Sequence, residues 1–87
     1  MAELSHLDGN AAAGELREVF AREMTGAHGT CGHCGSISVL AETRAYMRAP
    51  GTVLRCPQCL GVLVRIVHRP DRLFIDLSGV ARLELSD

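Results

Sequence analysis

Between Ala11 and Thr25 the apolar side chains recur at helical intervals. Leu16, Val19, Phe20 and Met24 share one face, with Ala12 and Ala13 above them, which predicts an amphipathic helix over residues 10–26. Asp8 or Asn10 is placed to cap its start, and Gly26 to end it. Glu18 and Arg22 stand four apart on the opposite face and predict a favourable pair. Gly14 costs the helix about 1 kcal/mol relative to alanine. Glu23 falls close to the apolar stripe, and its carboxylate is expected to reach water near the helix end. Residues 1–9 are read as a flexible N-terminus.

Beyond the helix the period changes from helical to alternating. "AHGTCGHCG" is glycine-rich and polar and reads as a loop. Ile37–Leu40, Thr43–Arg48 and Thr52–Arg55 read as short strands, with "APG" at 49–51 breaking the chain. Val62, Val64, Ile66 and His68 then alternate with Leu63, Arg65 and Val67. The "RPD" turn at 69–71 leads to Leu73, Ile75 and Leu77, which alternate with Phe74 and Asp76. After the "SG" turn at 78–79, Ala81, Leu83 and Leu85 alternate with Arg82 and Glu84. The pattern predicts an antiparallel meander, apolar on both faces along its middle strand. Helix 10–26 is expected to pack on or next to a β domain spanning 27–87, forming one domain.

Size strengthens the case for a staple. A chain of 87 residues buries only about 60–65% of its unfolded surface, and Phe20, Tyr46 and Phe74 are its only aromatics. Small domains of this kind rely on a disulfide framework, a metal or a partner chain. No run approaches the roughly 18 apolar residues of a membrane span, and the N-terminus lacks the basic and apolar regions of a secretory signal. A cytoplasmic setting is therefore expected, in which four cysteines point to metal binding or redox chemistry.

Those cysteines are Cys31-x2-Cys34 and Cys56-x2-Cys59, separated by twenty-one residues. Two CxxC pairs about 15–20 residues apart mark a zinc site, and an inserted hairpin absorbs the slightly longer spacing. Each pair forms a tight turn that presents two sulfurs on one side, with backbone amides aimed at them. Gly35 suits a positive φ after the first pair, and Pro57 presets the second turn. At the equivalent of Gly35 the second pair carries Leu60, which predicts a less ideal turn or a residue that avoids positive φ. "CGHC" read alone spells the active-site motif of disulfide isomerases. That chemistry needs a helix start after the pair, and here a strand pattern follows Cys34. The expected ligands of one Zn2+ per chain are therefore Cys31, Cys34, Cys56 and Cys59, with iron open as an alternative. His33 is expected to point to solvent, and His28, His68 and His6 to stand outside the ligand set. A four-thiolate site is closed to substrate, and neither a catalytic triad nor a phosphate loop is found, so no enzyme activity is expected.

The fold class expected is small α+β: a zinc ribbon with an antiparallel β-sheet meander and one N-terminal helix. The segments "LDGNAAAG", "ELREVFAREMT", "CGHCG", "Y-x-x-APG-x-VLRCPQC" and "IDLSGV" together resemble a family of short actinobacterial proteins classed as a domain of unknown function. The resemblance covers about residues 7–85. It implies a zinc-ribbon-like protein of the bacterial cytosol and carries no catalytic residue.

Two functions follow as expectations. The first is a protein-interaction or assembly module, meeting a partner protein or a second copy through the helix face of Leu16, Val19, Phe20 and Met24. The second is a nucleic-acid-binding ribbon acting in transcription through Arg44, Arg48, Arg55 and Arg65, with Arg69 and Arg72 nearby. All nine basic residues are arginine. Residues 31–87 hold seven of them against five acids, whereas residues 1–30 hold two against five. The overall charge of −1 favours the first expectation.

Overall fold

The computed structural model describes residues 7–48 and 51–85. Residues 1–6 and the Ala49–Pro50 part of the expected chain break lie outside the described residues. The element order is β1 (Leu7–Asp8), a 3-10 turn (Gly9–Ala12), α1 (Ala13–Phe20), β2 (His28–Cys31), β3 (Ile37–Val39), a 3-10 turn (Leu40–Glu42), β4 (Arg44–Arg48), β5 (Gly51–Arg55), β6 (Val62–Arg69), β7 (Arg72–Asp76) and β8 (Val80–Glu84). The result is a small α+β fold with one short helix and two antiparallel sheets.

The helix is shorter than its apolar pattern. It ends at Phe20, because Ala21 turns left-handed with φ 60° while its N–H still reaches the Arg17 carbonyl. Gly26 is therefore not the stop, and Arg22 lies beyond the last helical residue. The chain after the helix is fixed locally. The Glu23 carboxylate accepts the Thr25 N–H at 2.7 Å and the Thr25 hydroxyl. The Thr25 hydroxyl, followed by its N–H, holds the Glu23 carboxyl below its ordinary value. This turn carries Met24 into the interior. Ala12 of the 3-10 turn, Leu16 of α1 and Met24 of the following loop are all buried, and Val19 and Phe20 pack partly exposed against them. Two members of the expected docking face therefore belong to the chain's own core.

The larger sheet has the order β1-β4-β5-β6-β7. Of the expected meander it keeps β6 and β7, and β4 and β5, expected as separate short strands, continue it in antiparallel pairing on the other side. Leu7 and Asp8 pair with Ala45 and Arg44 at one edge, so this end of the expected flexible segment is a strand. The inner face brings Ala45, Leu54, Val64 and Ile66 into the core. His68 Nε2 meets Glu15 Oε2 at 2.5 Å, which ties β6 to α1.

The second sheet has the order β3-β2-β8 and corrects two expectations. "HGTC" is a strand and not a loop, because it is paired on both sides: with Ile37–Val39 and with residues 80–84. Correspondingly, β8 leaves the meander. The Ser78–Gly79 turn presses so closely on β6 that a Cβ on Gly79 would meet the Val62 carbonyl oxygen at 1.8 Å. The Gly79 carbonyl also accepts the Gly32 N–H at 2.8 Å. These contacts send the last strand across to β2, into the sheet that carries the first cysteine pair.

Candidate metal centre

Each cysteine pair follows a strand: Cys31 ends β2, and Cys56 comes directly after β5. In each case the chain then folds into the same knuckle. The Cys31 N–H donates to the Ser36 carbonyl, and the Cys56 N–H donates to the Gly61 carbonyl, both at 2.9 Å. The Gly35 N–H donates to the Cys31 carbonyl, and the Leu60 N–H donates to the Cys56 carbonyl, again both at 2.9 Å. Amides also point at sulfur. His33 N–H lies 3.3 Å from Cys31 Sγ, Gln58 N–H 3.3 Å from Cys56 Sγ, and Gly61 N–H 3.4 Å from Cys59 Sγ. Gly35 has the expected positive φ, 79°. Leu60 does not avoid that conformation: its φ is 66°, the knuckle's backbone bonds outweighing a side-chain clash worth roughly 1–2 kcal/mol.

The two knuckles face each other across the junction of the sheets. All four sulfurs lie within 4.8 Å of one another. Cys31 and Cys59 are 3.7 Å apart, and Cys34 and Cys56 3.8 Å apart. A tetrahedral ion with metal–sulfur bonds near 2.3 Å needs sulfurs about 3.8 Å apart, so these four residues can hold a metal ion. Cys31 and Cys56 are buried, while Cys34 and Cys59 are exposed. The spacing thus located a cluster that the fold does assemble. His28 lies on β2 and is not among its ligands.

Ser36 is the site residue that sequence reasoning missed. Its hydroxyl lies 3.2 Å from Cys34 Sγ and 3.4 Å from Cys56 Sγ, bridging the two knuckles. Its side chain leads the causes that hold the Cys34 thiol below its ordinary value. At Cys56 burial pushes the thiol up, but hydrogen bonds from Ser36 and the knuckle amides outweigh it and bring it to about 6. At Cys59 the Gly61 amide pulls down, and burial with the three neighbouring sulfurs pushes up to about 11.

His33 also differs from expectation. Although exposed, its ring lies against Gly61, where a Cβ would meet its Cδ2 at 2.5 Å, and its Nε2 is 3.2 Å from the Val62 carbonyl. It braces the first knuckle against the strand that leaves the second.

Six of the seven arginines of the β half occupy one face of the larger sheet, Arg82 lying on β8 of the other. Cross-strand register puts Arg44 opposite Arg55, Tyr46 opposite Val53, Val53 opposite Arg65, Val67 opposite Phe74, and Arg69 opposite Arg72. With the alternation along each strand, Arg44, Arg48, Arg55, Arg65, Arg69 and Arg72 share the outer side of the larger sheet with Tyr46 and Phe74. Arg55 lies over the Tyr46 ring, and Arg69 over the Phe74 ring, each 5.7 Å from the centroid. Arg55 Nη1 also donates to the Leu60 carbonyl at 2.9 Å, joining this face to the second knuckle. Asp76 is the acid among them, opposite Arg65, with Asp8 at the far edge opposite Arg44. No described helix is long and apolar enough to cross a membrane.

A family model matches residues 3–87, that of a family of unknown function (DUF6510), and the chain belongs to that family. The match agrees with the resemblance drawn from the quoted segments. No curated protein and no solved structure matches the chain.

Proposed function

We propose that this DUF6510 member is a non-catalytic domain held by one structural zinc, and that the outer face of its larger sheet binds single-stranded nucleic acid. The observation that carries the reading is the register that gathers six arginines around Tyr46 and Phe74. Net charge argued against a nucleic-acid footprint, but the acids of residues 1–30 dilute a charge that is concentrated on one surface. Arginines supply phosphate contacts, and flat rings supply stacking platforms that accept any base. Tyr46 and Phe74 stand three strand spacings apart, about 14 Å across the sheet, and are offset by two residues along the strands, so they suit two separated bases of one strand rather than a duplex groove. Zinc is supported by the four-thiolate donor set, which favours it over oxygen-seeking ions. A closed four-sulfur site supports a structural role.

The reading is tested by fluorescence anisotropy with labelled single-stranded DNA and RNA, and with duplexes of the same sequence, across a salt series. The expected result is preferential binding of single strands, with log affinity falling against log salt at a slope of about −3 to −4 if most of the arginines contact phosphate. Weakening by Tyr46→Ala and by Arg65→Gln is also expected. No binding of any oligonucleotide at low salt would overturn the reading.

A further inference from the structure

We propose that β7 is the contact through which two copies of this chain pair, edge to edge, into one continuous antiparallel sheet. This inference stands independently of the nucleic-acid reading. It begins with an edge. β7 pairs with β6 on one side and, among the described residues, with nothing on the other. All five of its residues are exposed, including Leu73 at 42%, Phe74 at 49% and Ile75 at 43%. An apolar edge strand of this kind is a template for pairing with another chain.

Backbone parity supports a defined register. A two-residue loop, Pro70–Asp71, joins β6 and β7, so Arg69 and Arg72 form the closing hydrogen-bonded pair. By alternation Arg72, Phe74 and Asp76 turn their backbone groups toward β6. Leu73 and Ile75 turn theirs toward the free edge. A two-fold axis at Phe74 would therefore place Leu73 opposite the Ile75 of the second copy as hydrogen-bonded pairs. It would place Phe74 opposite Phe74 as a close, non-hydrogen-bonded pair.

The side chains select the same register. With the axis at Phe74, Arg72 of each copy faces Asp76 of the other, so the segment R-L-F-I-D is complementary to itself in antiparallel pairing. Within one chain Arg72 lies opposite Arg69, a like-charge pair that opposes sheet formation. Among the described residues its ion pair is with its neighbour Asp71, at 3.6 Å. A second copy would bring a carboxylate to that unfavourable position. Shifting the axis to Leu73 or Ile75 keeps the backbone parity but loses both charge pairs. A closed two-fold contact also uses up both edges and prevents open-ended stacking.

The test uses the zinc-loaded full chain with reductant present, so that no intermolecular disulfide forms. Sedimentation equilibrium of the unsubstituted protein should show a monomer–dimer equilibrium across a concentration series. Arg72→Asp alone and Asp76→Arg alone each place like charges at both crossing points, and each should raise the dimer dissociation constant by roughly tenfold or more. Mixing the two variants makes both crossings complementary and should restore a heterodimer at the original affinity. Amide exchange of Leu73 and Ile75 in the unsubstituted chain should slow as concentration rises. The proposal is overturned by a monomer up to the solubility limit, by single variants that dimerise as well as the unsubstituted chain, by mixtures that do not recover, or by a dimer in which those two amides stay unprotected.

Discussion

The two cysteine knuckles share one backbone and almost none of its supporting side chains. Both close with the same pair of main-chain bonds, and both aim the amide two residues after the first cysteine at its sulfur. Yet the left-handed position is Gly35 in one and Leu60 in the other. The residue after it is Ser36, whose hydroxyl reaches two sulfurs, in one and Gly61 in the other. The geometry is thus set by the demand for two converging sulfurs, and each knuckle meets the remaining costs differently. The first has a relaxed backbone and an added hydroxyl. The second tolerates a strained leucine and is braced from outside by His33 and Arg55.

The largest expected effect tests what the knuckles have in common. Structural zinc contributes an apparent 10–16 kcal/mol in small peptides, about the whole stability of a domain or more. Chelation should therefore unfold the knuckles together and flatten the far-ultraviolet dichroism of both sheets. Elemental analysis should find one zinc per chain before chelation, and reduced protein free of any metal would refute the site. Cys31→Ser and Cys56→Ser should each abolish tight binding to a similar extent, because both sulfurs are buried. A clear inequality in competitive metal titration would break the equivalence.

The next predictions separate the two left-handed positions, and their signs are opposite. Gly35→Ala meets no atom within 4 Å of the new Cβ, so its cost is conformational and should be about 1–2 kcal/mol. Leu60→Gly removes the same kind of strain from an exposed residue. It should stabilise the protein by about 0.5–1 kcal/mol after the added freedom of the unfolded chain is counted. Denaturant unfolding of the zinc-loaded variants measures both, and two changes of the same sign would show that Leu60 is held by a contact rather than tolerated.

A smaller effect concerns Ser36. Its hydroxyl favours the thiolates of Cys34 and Cys56, so Ser36→Ala should raise both thiols. Metal binding requires thiolates. The pH at which zinc is lost on acidification should therefore move upward, as read by a chromophoric chelator. The smallest effect lies outside the knuckles. The Asp76 carboxylate is held low first by Ser78. Its contribution is present above the ordinary carboxylate range and fades on acidification through its lowered value, and Asp76→Asn should remove that part of the acid dependence of unfolding.

What could be read from the sequence was whatever repeats at short range. Strands β6, β7 and β8 announced themselves by alternation, β4 and β5 as short runs on either side of a chain break, and the cysteine spacing located the cluster. The helix end did not, because Ala21 takes a conformation that alanine disfavours and the Glu23–Thr25 turn redirects the chain. "HGTC" has too few residues and too much glycine to signal a strand. It is one because partners flank it on both sides. The shared face of the arginines depended on register, which alternation within single strands leaves open. The His68–Glu15 contact joins residues that no local pattern relates, and Ser36 carried no signal apart from its place two residues after Cys34.

The central place of β2 in the smaller sheet also has a consequence for synthesis. Translation delivers the N-terminal segments first. β2 acquires β3 at once, but its other neighbour, β8, is the last strand of the described chain to leave the ribosome. All four thiols and the whole larger sheet are exposed to the surroundings of the nascent chain before Gly79 meets Gly32 and β8 closes beside Cys31. Metal capture can therefore precede completion of the fold, with zinc holding the two knuckles in register while the final strand arrives. A ribosome-stalled chain ending before Val80 should already retain zinc, and should gain protection of the His28–Cys31 amides only when residues 80–84 are added.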